Sequence, residues 1–503
     1  MRALLVTSVG VTCAAALTLP LATPAASAPA PHSASALPPS TSPASPGAGP
    51  PSVQAEATTR EALALSDVRS AAEPAGSTQS LPLAPLAAPS NRVAGAPAAQ
   101  GLPQRDARPF SLVGVVWDDA EAELHGTVQV RTRATGTTRW SDWQDVETHN
   151  AEHAADLGSA EREGRTVRGA TAPLWVGDSD GVEVRVRPEA RDSQDRAATP
   201  VPLPEGMRLE LVDPGEGPGE NPGETSAPEP ARGAPAGRAA AVPARFADTP
   251  ATAAALPEVL TAEIAAASAV NAELAEIGAT VIPALSRAET LESMELAPGA
   301  KPYIGPRPGI ITRKGWGADE KLREKNFGYS KTVKAAFVHH SATGNNYTCK
   351  QAPSVLRSIY RYHVKSSGWR DFGYNFAVDK CGNIYEGRAG GVTKAVLGAH
   401  TLGFNTNTMG IAVLGSYGST NPPAAAVTAV SKLTAWKLGL FGRNPKGKIT
   451  LVSGGSNKYK AGVKVKMNVI SGHRDGFATE CPGARLYKKL GKARTSSAKL
   501  QGR

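Results

Sequence analysis

Large apolar side chains are sparse over the first hundred residues, alternate with polar ones from about 105 to 214, thin out again to about 300, and then gather into runs of strand and helix length. The alternating stretch contains Leu112-Val113-Gly114-Val115-Val116-Trp117, Thr127-Val128-Gln129-Val130-Arg131, Val182-Glu183-Val184-Arg185-Val186 and Leu209-Glu210-Leu211. A period of two marks half-buried antiparallel strands. Residues 105–214 are therefore expected to form a β-rich accessory domain, a small β-sandwich, with Trp140, Trp143 and Trp175 as core or surface aromatics. Exposed tryptophans would suit stacking on sugars, whereas buried ones would suit a spacer. Residues 251–300 are Ala-rich, with Leu260, Ile264 and Ala267 at loose helical spacing, and suggest helices within a connector.

From Gly309 the period changes. Strands predicted at Val333–His339, Tyr374–Val378, Met409–Gly415 and Met467–Ser471 alternate with helices predicted at Pro353–Lys365, Pro423–Leu440 and Gly483–Leu490. Such an order implies an α/β domain with a mixed central sheet flanked by helices. The chain as a whole reads as multidomain.

Composition adds the segments between these domains. Most of the 41 Pro lie in the first half, where residues 29–104 read as a disordered leader and 215–300 as a linker. Residues 1–28 combine Arg2, an apolar run and Ala26-Ser27-Ala28, the pattern of a secretory signal peptide, with Ala34-Ser35-Ala36 as an alternative cleavage site. Pro20 and Pro24 break the run, which is short for a bilayer span, so no integral membrane segment is expected in the mature chain. Cys13 leaves with the signal. Cys349, Cys381 and Cys481 remain, an odd number that in an oxidising exterior suggests one disulfide and one thiolate held by a metal. Residues 301–503 carry net +26 and residues 1–300 net −16. A basic secreted domain calls for an anionic partner, and secretion makes nucleic acid the poorest candidate.

The chemistry starts at His339-His340, which ends the apolar run Ala335-Ala336-Phe337-Val338 and so sits at a strand's C-terminal edge. A second element, His473-Arg474-Asp475 through Cys481-Pro482-Gly483, follows the last predicted strand. His339, His473 and Cys481 would supply three protein ligands of a tetrahedral zinc site with an open fourth position. Two neutral imidazoles and a thiolate leave zinc with net positive charge, able to activate water and polarise a carbonyl. Tyr374 is a phenol of the type that stabilises an oxyanion.

The motifs Phe337-Val338-His339-His340-Ser341-Ala342-Thr343, Asp371-Phe372-Gly373-Tyr374-Asn375-Phe376, Gly382-Asn383-Ile384-Tyr385-Glu386-Gly387-Arg388, Gly398-Ala399-His400 with Met409-Gly410-Ile411, and His473-Arg474-Asp475 with Cys481-Pro482-Gly483 occur in one order. In that order they resemble the peptidoglycan recognition proteins and type 2 N-acetylmuramoyl-L-alanine amidases, including phage amidase-lysozymes and secreted actinobacterial amidases. Arg313-Lys314-Gly315-Trp316-Gly317-Ala318 is similar to the family's opening segment. The resemblance covers residues 308–490 and leaves 491–503 as a basic tail.

It implies zinc ligation by His339, His473 and Cys481 and catalytic roles for Tyr374 and Thr479. Thr479 falls where animal amidases have threonine and phage enzymes lysine. His340 does not match a ligand; it is assigned with His400, Asn405 and Arg388 to the substrate groove. Ala389-Gly390 stands where the family's Gly-Trp pair marks a diaminopimelate preference, so the third-position diamino acid stays open. Cys349 and Cys381 remain for a disulfide that would stabilise by roughly 3 kcal/mol. The implied activity is zinc-dependent hydrolysis of the bond between muramic acid and L-Ala by a secreted, wall-associated monomer whose basic surface attracts anionic wall polymers. The alternative is a peptidoglycan-binding protein that does not cut, although non-catalytic relatives usually lack the cysteine ligand.

Overall fold

The computed structural model describes residues 76–86, 99–148, 150, 153–159, 161–189, 201–218, 260–294 and 302–503. The expected signal peptide lies outside them, as do most of the leader and much of the linker.

The accessory domain is built from β1 (Thr78–Pro82), β2 (Ala84–Pro85), β3 (Gln100–Trp117), β4 (Gly126–Ala134), β5 (Gln144–Val146), β6 (Gly169–Ala170), β7 (Leu174–Pro188) and β8 (Arg208–Val212). The sheet runs β1-β8-β3-β7-β4-β5, with β2 and β6 also paired to β3. Register shifts between β3 and β7 at Leu102/Arg105, Asp106/Phe110 and Phe110/Leu112 bend the two long strands. The sheet thereby encloses a sandwich-like core of Val113, Val115, Trp117, Val128, Val130, Val184, Leu209 and Leu211.

β1 and β2 lie inside the expected leader, and β3 begins there. Leu81 and Leu83 pack against that core although Pro82 and Pro85 interrupt the sequence pattern. Proline is tolerated there because β1 ends the sheet, and an edge strand has ladder donors to spare. The connector helices are α1 (Ala262–Ala269), capped by Thr261, and α2 (Arg287–Glu292), whose Ser286 and Glu289 form a capping box. Between them β9 (Val281–Ile282) joins the second sheet, so this part of the expected linker belongs to the α/β domain.

That domain continues with β10 (Ile310–Ile311), β11 (Ala335–His340), α3 (Ala352–Arg361), β12 (Phe376–Val378), β13 (Ile384–Glu386), β14 (Thr408–Val413) and α4 (Ala424–Leu440). It closes with β15 (Lys448–Val452), β16 (Lys464–Asn468), β17 (Ile470–Gly472), α5 (His473–Gly476), α6 (Ala484–Tyr487) and α7 (Leu490–Gln501). The mixed sheet has the order β17-β11-β14-β12-β13-β10-β9. On one face α4 and α7 cover Val338, Met409, Ile411 and Ile470. The expected basic tail is this last helix: Leu490, Ala493 and Ala498 are buried while its lysines face outward. The helix predicted through Lys365 leaves α geometry after Arg361 and becomes a π turn at Tyr362–Ser366. No helix among the described residues is long and apolar enough to cross a membrane.

The two domains share a core. Residues 110–117 of β3 are buried on both faces, and its second face places Leu112 and Val116, with Trp175 and Val212, against Val355, Leu356, Ile359 and Tyr362 of α3 and the π turn. Tyr362 donates to Thr171 O at 3.1 Å and crosses Gly114, where a Cβ would fall 2.4 Å from the phenol oxygen. Glycine is required at that crossing. Trp175 is thus a core residue, whereas half-buried Trp140 and Trp143 are faced by guanidiniums, with Arg185 3.9 Å from the Trp143 centroid.

Cys349 and Cys381 form a disulfide that ties the segment before α3 to the β12–β13 turn, with Cα atoms 6.2 Å apart. Replacing both by serine is expected to lower the unfolding free energy by roughly 3 kcal/mol. Urea denaturation measures this, and an unchanged midpoint would show that the crosslink adds nothing to stability.

Candidate metal centre

Strand register brings the first two histidines together. β17 lies parallel to β11 with Val338 opposite Gly472, so the next residues, His339 and His473, emerge side by side at the C-terminal edge. Their ring centroids are 4.5 Å apart. Cys481 returns from the loop after α5, which is closed by Arg474 N donating to Cys481 O at 3.0 Å and Cys481 N donating to Thr479 Oγ1 at 3.1 Å. Cys481 Sγ lies 3.8 Å from His339 Nδ1. Two donors of a tetrahedral zinc site are separated by about 3.4 to 3.6 Å, so the pair fits such a group with a small adjustment.

A fourth donor completes the cluster. His153, from the loop between β5 and β6 of the accessory domain, has its ring centroid 4.5 Å from that of His473 and 5.3 Å from that of His339. One ligand atom from each of His153, His339, His473 and Cys481 lies within 4.8 Å of the others, and all four side chains are buried. Three imidazoles and a thiolate are a donor set suited to zinc. Burial disfavours the charged form of the His339 and His153 rings, as metal ligation requires. It pushes His339 well below its ordinary value, with His473 adding to the effect, and pushes His153 down to about 3, with His340 adding to it.

The other face of His339 is held from behind. Thr401 Oγ1 lies 3.4 Å from His339 Nε2 and 3.0 Å from His400 Nδ1, a chain that orients the ring with Nδ1 toward Cys481. The Tyr374 ring stands beside the cluster, its centroid 5.3 Å from that of His339. His340, one residue along the strand, faces the opposite way under strand alternation and takes Tyr417 N at 3.5 Å.

Of the residues assigned to a substrate groove, His400, Asn405 and Arg388 lie together beside this cluster and the accessory loop, whereas His340 turns to Tyr417. The Asn405 carboxamide oxygen accepts from His400 N at 2.7 Å and Thr401 N at 2.9 Å, and its amide donates to Ala154 O and Asp156 Oδ1. Asp156 also accepts from Gly403 N at 2.7 Å. Arg388 pairs with Glu161, whose carbonyl accepts from Arg370. His400 is fully buried behind His339. Sequence reasoning had no means of finding His153, a lone histidine in another domain. Thr401 was within reach, because it follows His400 in a motif already singled out.

Residues 329–484 match the family described as N-acetylmuramoyl-L-alanine amidase, and residues 66–205 match one described as Rv3811 N-terminal galactose-binding domain-like. Peptidoglycan-recognition protein SC2 of Drosophila melanogaster is 31% identical over 186 residues, which cover 36% of this chain and 84% of that protein. The N-acetylmuramoyl-L-alanine amidase of Homo sapiens is 30% identical over 192 residues, 36% of this chain and 28% of the relative. Among solved structures, Drosophila PGRP-LB wild-type aligns at 26% identity over 36% of this chain and 91% of its own, with a TM-score of 0.29.

The buried rings predict an acid response. Burial holds His363 and His400 down to about 3, with His153 the next cause for both. The unfolded chain takes up protons below about 6.5 that the folded rings refuse until about 3, so stability falls with pH across that window, by up to about 1.4 kcal/mol per unit per histidine. Urea midpoints of the metal-free protein at pH 7 and 5 are expected to drop accordingly, and His363→Gln is expected to make the dependence shallower by about one proton. Equal slopes in the two proteins would contradict the assignment.

Proposed function

Since the chain belongs to the peptidoglycan recognition protein and N-acetylmuramoyl-L-alanine amidase family, we propose that it is a secreted zinc amidase that hydrolyses the bond between the lactyl group of muramic acid and L-Ala. The observation that carries this reading is the convergence of His339, His473 and Cys481 beside Tyr374. Recognition without hydrolysis would need neither a buried thiol among imidazoles nor a phenol alongside them.

In this reading the two histidines and the cysteine hold zinc, which when bound supplies a Lewis acid that polarises the lactyl carbonyl and eases deprotonation of the attacking water. Water adds to the carbonyl carbon, the C–N bond breaks, and the L-Ala amine leaves with one added proton while the lactyl group becomes a carboxylic acid. Tyr374 Oη donates a hydrogen bond to the oxygen that gains charge as water adds. Thr401 fixes the His339 ring. Thr479 shapes the cysteine loop by accepting the Cys481 amide, a positioning role that leaves its family-implied catalytic role secondary. Arg388, His400 and Asn405 border the glycan or peptide, and the net positive charge of residues 301–503 draws the domain to anionic wall polymers in a salt-sensitive way. The domain acts as a monomer.

The test is zinc content and release of new L-Ala amino termini from purified peptidoglycan. One zinc per chain and new termini are expected for the wild type; Cys481→Ser, which leaves three imidazoles, is expected to hold zinc more weakly and to release no new termini. Tyr374→Phe is expected to keep the zinc and lower kcat by about 10²- to 10³-fold, the effect of removing one oxyanion donor. Peptidoglycan binding with neither zinc nor new termini would make the chain a recognition protein.

A further inference from the structure

A catalytic zinc site keeps one position open for water and substrate, whereas a site with four protein ligands is closed. The cluster here has four side-chain donors, and the fourth comes from a different domain. His153 is 4% exposed, and its loop occupies the surroundings as well: Asp156 holds Asn405 and Gly403, and Glu161 holds Arg388. A peptidoglycan strand could reach neither the metal nor these side chains while the loop is in place.

We propose that the loop between β5 and β6 is a latch in which His153 is the fourth metal ligand and Asp156 and Glu161 occupy the substrate groove, so that the chain is latent until the loop withdraws. The proposal rests on the amidase reading. Two kinds of contact separate the latch from the body that carries it. The body is fixed by apolar packing of Leu112, Val116 and Trp175 on α3. The loop is held by hydrogen bonds and ion pairs and borders a cavity of about 320 Å³ lined by Asn150, Leu157, Trp369 and Phe477. When the loop withdraws, both partners of each such contact exchange it for water, so the loop can leave while the domains stay joined. Being tethered, His153 meets the metal at high effective concentration and outcompetes water without needing strong intrinsic affinity.

The test uses the full chain with Co²⁺ in place of Zn²⁺ and reads the visible ligand-field spectrum with and without added azide, which enters an open position. The wild-type spectrum is expected to be unchanged by azide, and that of His153→Ala to shift. Asp156→Ala/Glu161→Ala, which leaves the ligand in place and guards against a folding defect at His153, is expected to respond partially. Release of L-Ala termini by zinc-loaded His153→Ala is expected to rise on the order of tenfold or more, as for a protein whose competent form was a minor state. A wild-type spectrum already responsive to azide, or equal rates in wild type and His153→Ala, would overturn the latch and leave the amidase standing. Failure of every variant to bind cobalt would overturn both.

Discussion

The parallel pairing of β17 with β11 is the constraint on which the site depends. With Val338 opposite Gly472, the next residue of each chain is a histidine at the same sheet edge, and no loop flexibility enters their separation. A slip of one residue would turn one ring to the far face. The register is held by burial: Ala336, Phe337 and Val338 meet Ile470, Ser471 and Gly472 in strands with no exposed residue. Cys481 needs only a short loop to return to that edge, and Thr479 and Arg474 close it. The placement of these donors is therefore a consequence of sheet geometry more than of the surface around it.

The accessory domain buries one face of β3 on α3 and sends a loop to the sheet edge where the four donors meet. Charge supports the arrangement, because acidic Asp156 and Glu161 meet a domain that is otherwise strongly basic.

Much of the α/β domain was legible in the sequence because its strands are short apolar runs and its candidate ligands sit next to them. His339 follows Ala335-Ala336-Phe337-Val338, and His473 follows the run ending at Gly472. What was hidden is non-local. Leu112-Val113-Gly114-Val115-Val116-Trp117 carries apolar residues on both faces, which signals two-sided burial, but nothing local names α3 as the second partner. The strands at 78–85 were masked by prolines, and α7 by small residues such as Ala493 and Ala498 that carry little periodic signal. His153 had no spacing relation to any other ligand.

The most direct measurement of the central claim, that a sulfur-bearing metal site forms at this edge, is X-ray absorption at the zinc edge on the zinc-loaded full chain. The account predicts a first shell of one sulfur and three imidazole nitrogens. A shell without sulfur, or one dominated by carboxylate oxygens, would contradict it.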